Sequence, residues 1–290
     1  MNKALAEVVA SLNLTAGTKD ANAAHFTGVA SDGSERRIFG GHILAQALAA
    51  AQRTVDKAYV VHAMHSYFLR QGNQRIPVAY KVELVRDGRS IISRNVVASQ
   101  AGKTIFEAKL SFHTPTEGLE HAATMPVAPP PASLPSEEKR TLPQFDPEGK
   151  SDGASWPIDT RFADPMSLTD LSVKPPRDLV WAKTAGTLPE DLNTQLQMFA
   201  YCSDNPIMMP AYNPHAHSAY LVDLLGMTLN HSFWIHRPFR ADEWMLFEID
   251  SDVASGSRAM SRMKVFDQSG QLVASAMQEA LMRLNNQASS

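Results

Sequence analysis

The chain has 290 residues, 44% of them apolar and 20% charged, with a formal net charge of -3. That is enough apolar material for one large domain or two small ones, and the scattered basic residues give no footprint for nucleic acid. No apolar run reaches the length of a bilayer span, and the one cysteine excludes an internal disulfide framework.

In chain order, Leu5, Val8, Val9 and Leu12 fall at helical spacing over residues 3–13 and predict a short amphipathic helix. Glu7 stands where a secretory signal needs its apolar run, and the end Asn286-Gln287-Ala288-Ser289-Ser290 is not a peroxisomal address. A cytoplasmic location is the expectation. After Phe39-Gly40-Gly41, residues His42 to Arg53 read as a helix with Ile43, Leu44, Ala47, Leu48 and Ala51 on one face. Its alanines allow close packing on a sheet, and the glycine pair leaves N–H groups open at a positive helix end. Gly41 is therefore a candidate oxyanion donor. Val78 to Arg86 alternates as a strand, Asp87-Gly88 is a hairpin signal, and Ser90–Ser99 and Thr104–His113 are strands joined at Ala101-Gly102.

Residues 114–180 hold twelve of the 18 prolines, which a central strand does not tolerate, so they read as a surface connector with a strand near 178–183 at its far end. Beyond it, Asp191 to Ser203 predicts a second helix. Trp244–Asp250, Ser257–Asp267 and Gln271–Leu284 predict strands, the last two joined at Ser269-Gly270. This second set repeats the first. Ser93-Arg94 and Gln100-Ala101-Gly102 align with Ser261-Arg262 and Gln268-Ser269-Gly270 at one offset of 168 residues, and His65-Ser66-Tyr67-Phe68 echoes His231-Ser232-Phe233-Trp234. The reading is an α+β chain of two tandem units, residues 1–113 and 181–290, around the connector 114–180. Each unit has a helix packed in a curved antiparallel sheet, and the two sheets pair so that one chain imitates a dimer.

Several ordered segments resemble one family, the acyl-CoA thioesterase II family with its double hotdog fold. They are Arg37-Ile38-Phe39-Gly40-Gly41, His62 to Arg70, Leu84 to Ser90, Ala200-Tyr201-Cys202-Ser203-Asp204, Asn230 to Phe239 and Val273 to Ala280. The resemblance implies a hydrolase that takes acyl-CoA, needs no cofactor or metal, and assembles as a dimer or tetramer. It implies a catalytic set at Asp204, Thr228 and Gln278. It departs from the family at Asn230, where an Asp is usual, two residues from Thr228.

Thioester hydrolysis fits such a set. The leaving thiol, with a pKa of about 8.5 if it resembles cysteine, departs as thiolate without a strong general acid. What remains is a positioned water, a proton acceptor (Asp204, with its pKa raised by burial) and two hydrogen-bonding groups, Thr228 and Gln278. Taken singly, each residue has a plainer reading: a turn former, a strand hydroxyl, a buried amide. Met208, Met209, Phe233 and Trp234 are the expected lining of an acyl tunnel.

Other chemistries find less support. Cys202 reads as an inert core residue, there is no Gly-x-Ser-x-Gly elbow, and Gly102-Lys103-Thr104 lacks the upstream glycine of a phosphate loop, Val97 standing there instead. His215 and His217 lack a third metal ligand, and His65 and His231 read as structural hydrogen bonders. A hotdog hydratase or dehydratase acting on enoyl-CoA is the rival enzyme, but its histidine position, five after the Asp, is Met209. A non-catalytic acyl-CoA-binding module is the rival without chemistry.

Overall fold

The computed structural model describes residues 1–29, 37–136, 156–164, 172–215 and 224–284. Helix α1 (Lys3–Ser11) is capped by Asn2, whose side chain accepts the Leu5 N–H at 2.8 Å. The edge strands β1 (Thr15–Lys19) and β2 (Ala23–Gly28) follow, then helix α2 (Gly40–Gln52) and strands β3 (Val60–Phe68), β4 (Val78–Asp87), β5 (Ile91–Gln100) and β6 (Lys103–His113). The second half runs β7 (Ile158–Phe162), β8 (Arg177–Thr184), α3 (Leu192–Ser203), a one-turn α4 (Met209–Tyr212), β9 (Leu224–Ile235), β10 (Met245–Ser255), β11 (Arg258–Phe266) and β12 (Leu272–Leu284).

Among the described residues the twelve strands form one antiparallel sheet in the order β1-β2-β4-β5-β6-β3-β9-β12-β11-β10-β8-β7. Read from either edge the order is the same once each strand is replaced by its copy, so the duplication seen in the sequence is a twofold in space. The seam is β3 against β9, with Met64 opposite Phe233, His65 opposite Ser232 and Ser66 opposite His231. The β5–β6 turn at Ala101-Gly102 has positive φ at both residues, 47° and 75°, the primed-turn geometry that suits the twist of the flanking strands.

Helices α2 and α3 pack on each other and on one face of this sheet, with α2 against β4, β5 and β6 and α3 against β8. Every residue of α2 from Gly41 to Gln52 is buried, which explains its alanines. The core beneath holds Leu44, Leu48, Met64, Phe106, Phe199 and Phe233, each fully buried. Phe233 of β9 meets Phe199 of α3 edge-to-face at 5.7 Å between ring centroids, pinning helix to seam.

The proline-rich stretch is more than a connector. Its described first part, 114–136, lies over the outer face, where Met125, Ala128 and Leu134 cover Trp181, Leu246 and Phe266 and the Trp181 indole donates to the Pro129 carbonyl at 2.8 Å. Its later part supplies β7 and β8, the copies of β1 and β2, so the second unit begins well before residue 181. Neither edge pair was foreseen in full. β1 and β2 are short and β1 is exposed throughout, leaving no apolar stripe to read.

Phe233→Ala should destabilise the chain by about 3–5 kcal/mol, since it empties the contact that joins seam and helix. Equilibrium urea unfolding measures this, and a loss below about 1 kcal/mol would contradict the packing described.

Candidate active site

Three structural accidents bring distant residues to one point. Asp204 is the C-cap of α3, the residue at which the chain leaves the helix. There α3 meets the first turn of α2. A Cβ on Gly41 would lie 2.3 Å from the Tyr201 carbonyl oxygen, and one on Gly40 would lie 2.6 Å from Asp204 Oδ2. Only glycine permits that approach. The second accident is a bulge in β9: Asn230 pairs with Glu279 but Thr228 pairs with Ala280, leaving Leu229 unmatched. Without the extra residue Thr228 would share the outer face with Asn230; with it, Thr228 turns inward. The third is register, which sets Gln278 of β12 opposite His231 on the inner face.

The three residues expected at the site are thus in contact. Asp204 Oδ2 accepts the Gly41 N–H at 2.9 Å, Oδ1 accepts the Thr228 hydroxyl at 3.1 Å, and Thr228 Oγ1 accepts from Gln278 Nε2 at 3.2 Å. Gly41 joins the site through a different bond from the expected one, since its N–H is given to the carboxylate. Asp204 is 7% exposed and its pKa is pushed up to about 6. Desolvation is the larger effect; the Thr228 and Gly41 hydrogen bonds favour the charged form and offset only part of it.

His231 extends the cluster. Its Nδ1 lies 2.6 Å from Gln278 Oε1 and its Nε2 lies 3.0 Å from Ser203 Oγ. The His-Ser echo hid this role. The seam register puts His65 on the outer face, bonded to Ser232, and His231 on the inner face, because side chains one residue apart on a strand point to opposite sides. The only signal in the sequence was the strand's own alternation with Phe233 and Ile235, both buried.

The remaining expectations divide. Asn230 lies away from Thr228 and donates to Glu279 at 3.1 Å, where an Asp would oppose a second carboxylate. Trp234 cannot line a tunnel beside Asp204: it sits on the outer face, edge-to-face with His65 at 5.2 Å. Met208, Met209 and Phe233 belong to the inner core or pack against it. Cys202 is buried, with its thiol pKa raised by desolvation, in keeping with an inert core residue. His217 lies outside the described residues, and among those described no three ligating side chains cluster as a metal site. At the other end of the helix pair a cavity of about 450 Å³ is lined by Gln52, Arg53, Asp56, Asn193 and Gln197. There the C-cap of α2 is Arg53, so the copy of the site carries the opposite charge at the Asp204 place.

Known proteins resemble the chain over most of its length. Residues 159–281 match the family described as acyl-CoA thioesterase, and residues 30–113 match the acyl-CoA thioesterase N-terminal domain. Acyl-CoA thioesterase 2 of Haemophilus influenzae is 34% identical over 269 residues, covering 90% of this chain and 92% of its own. The chain belongs to the acyl-CoA thioesterase II family. Acyl-coenzyme A thioesterase 8 of Mus musculus is 36% identical over 88% of this chain and 83% of its own. The crystal structure of the acyl-CoA thioesterase II TesB2 from Mycobacterium marinum superposes with a TM-score of 0.79 at 35% identity, covering 96% of this chain and 99% of that one. The double hotdog architecture is therefore that of the family, helix pair and continuous sheet included.

A buried acid with a raised pKa costs stability once it ionises. The cost is absent below the unfolded value near 3.8, grows as pH rises, and is complete above about 6. Asp204→Asn should accordingly be more stable than wild type at pH 8, by about 3 kcal/mol at most, with the difference gone below pH of about 4. Thermal unfolding across this range checks it; a variant less stable than wild type at pH 8 would contradict the burial account.

Proposed function

We propose that the chain hydrolyses acyl-CoA to the free acid and coenzyme A by attack of a water held at Asp204, Thr228 and Gln278. The observation that carries this is the buried Asp204 carboxylate, gripped from both sides and poised near neutrality. An ordinary Asp is too weak a base at pH 7; one raised to about 6 has both the ionised population and the proton affinity the step needs.

The reaction runs in two bond changes. The water donates to Asp204 and accepts from the second N–H of Gln278 Nε2, whose first N–H is held by Thr228. As its oxygen attacks the thioester carbon, its proton passes to Asp204. The oxyanion develops against the positive end of α2, where the peptide dipoles favour negative charge. Collapse breaks the C–S bond, coenzyme A leaves as thiolate, and the proton on Asp204 returns to it or to solvent. Gly41 serves as the anchor of the base, fixing one carboxylate oxygen so that the other faces Thr228.

Enoyl-CoA hydration needs an imidazole turned toward the substrate. Both nitrogens of His231 are engaged, one by Gln278 and one by Ser203, so it supplies no such acid. A binding module would have no reason to keep a destabilised carboxylate beside two aligned polar groups.

Free-thiol release from a panel of acyl-CoA substrates tests the activity. Asp204→Asn should lower kcat by roughly 10²–10⁴ with KM little changed. Wild-type kcat should fall as pH drops through about 6, where Asp204 takes up its proton. Turnover in the Asn variant equal to wild type, or an enoyl absorbance change without thiol, would overturn the reading.

A further inference from the structure

Behind Gln278 the hydrogen bonds do not stop. From Thr228 they continue through Gln278 and His231 to Ser203, whose hydroxyl lies 3.0 Å from His231 Nε2 and 3.0 Å from the Ala200 carbonyl oxygen. His231, Gln278 and Ser203 are almost wholly buried, at 0%, 2% and 0% exposure, and the Ser66 hydroxyl holds the His231 backbone carbonyl at 2.7 Å. Each of the four groups in this series can donate on one side only if it accepts on the other. Once the Thr228 hydroxyl is committed to the carboxylate, the directions of Gln278 and His231 behind it are fixed in turn.

We propose that His231 is a positioning residue for the hydrolysis: protonated on Nδ1, it holds the Gln278 amide with its NH₂ toward Thr228 and the water, and the charge on Asp204 sets the direction of the whole series. This rests on the reading of Asp204 as the base and assigns Gln278 its support. A carboxylate can only accept. Thr228 must then give its single O–H to Asp204 and accept from Gln278 Nε2, which leaves Gln278 Oε1 facing His231 at 2.6 Å. The ring answers with an Nδ1–H donor. Burial keeps it neutral, pushing its pKa down to about 4, so Nε2 is bare and takes the Ser203 O–H away from the Ala200 carbonyl. Every donor points toward the carboxylate.

The same reasoning predicts what happens when the charge is removed. In Asp204→Asn the Gly41 N–H still requires an acceptor, so the amide oxygen takes the Oδ2 place and the amide NH₂ turns to Thr228. Thr228 becomes an acceptor there and gives its O–H to Gln278, whose amide reverses. His231 then meets an NH₂ and must be bare on Nδ1 and protonated on Nε2. Ser203 accepts from Nε2 and returns its own O–H to the Ala200 carbonyl. The water site faces an amide oxygen in place of an N–H.

Nitrogen NMR of the ¹⁵N-histidine-labelled full chain at pH 8 reads this without reference to activity. His231 is assigned as the signal lost in His231→Asn. The wild type should show the Nδ1–H tautomer and Asp204→Asn the Nε2–H tautomer; an Nε2–H ring in the wild type, or one tautomer in both proteins, overturns the proposal. In thiol-release kinetics His231→Leu should lower kcat about 10- to 100-fold with KM within about twofold, as for a misaligned group rather than lost binding. His231→Asn, whose side-chain NH₂ stands where Nδ1–H stood, should recover most of that loss. In a Gln278→Ala background His231→Leu should add less than about twofold, because it acts only through the amide. Effects that multiply, or a loss in KM alone, overturn the role. Should His231→Leu fail to fold, the tautomer pair still decides. An unchanged kcat in Asp204→Asn would strike the base itself, whereas an unchanged tautomer strikes only the support behind it.

Discussion

One contact governs the molecule: the N–H of Gly41, in the first turn of α2, donating to a carboxylate at the last turn of α3. It joins the two halves of the chain, since α2 belongs to the first unit and α3 to the second. It also needs the helices closer than any side chain but hydrogen permits, hence Gly40 and Gly41. Burial of Asp204 is the consequence of that closeness, and burial is what makes an aspartate basic. The fold thus sets a close helix contact and a buried carboxylate at the same place.

Duplication made this arrangement possible, and asymmetry made it useful. The twofold sheet order would place an equivalent cleft at each end of the helix pair. At one end the C-cap is Asp204, at the other Arg53, which donates to the Leu14 carbonyl and the Asn13 side chain. The seam shows the same divergence on a smaller scale. Two copies of His-Ser-aromatic-aromatic meet across β3 and β9, yet one imidazole faces out and the other in. A single bulged residue, Leu229, completes the difference by turning Thr228 inward on the same strand. Small changes of register sufficed to bring Asp204, Thr228 and Gln278 into one hydrogen-bonded cluster.

Much of this could be read from residues alone, and the exceptions have physical causes. The paired glycines, the alanine-rich helix, the alternating strands and the turn at Ala101-Gly102 are local signals, and the structure carries each where its pattern lies. The edge strands are different, because β1 is exposed and β7 is embedded in a stretch rich in proline. Pairing partners, which no local pattern encodes, make them strands. The facing of Trp234 and the buried place of His231 depend on the seam register, a property of two distant segments together. The partner of Gly41 could not be foreseen for the same reason: its N–H was legible as available, while the group that reaches it lies 163 residues away.

The chemical account requires Asp204 to act on water and never on the acyl group itself. Single-turnover hydrolysis in H₂¹⁸O, with enzyme in excess of acyl-CoA and the acid-quenched protein weighed for a covalent adduct, separates the two. Water attack predicts one ¹⁸O in the acid released by the first turnover, no ¹⁸O in the protein and no acyl adduct at any time. An acyl adduct on Asp204, or unlabelled acid with ¹⁸O in the Asp204 side chain, would show an acyl-aspartyl intermediate and contradict the account.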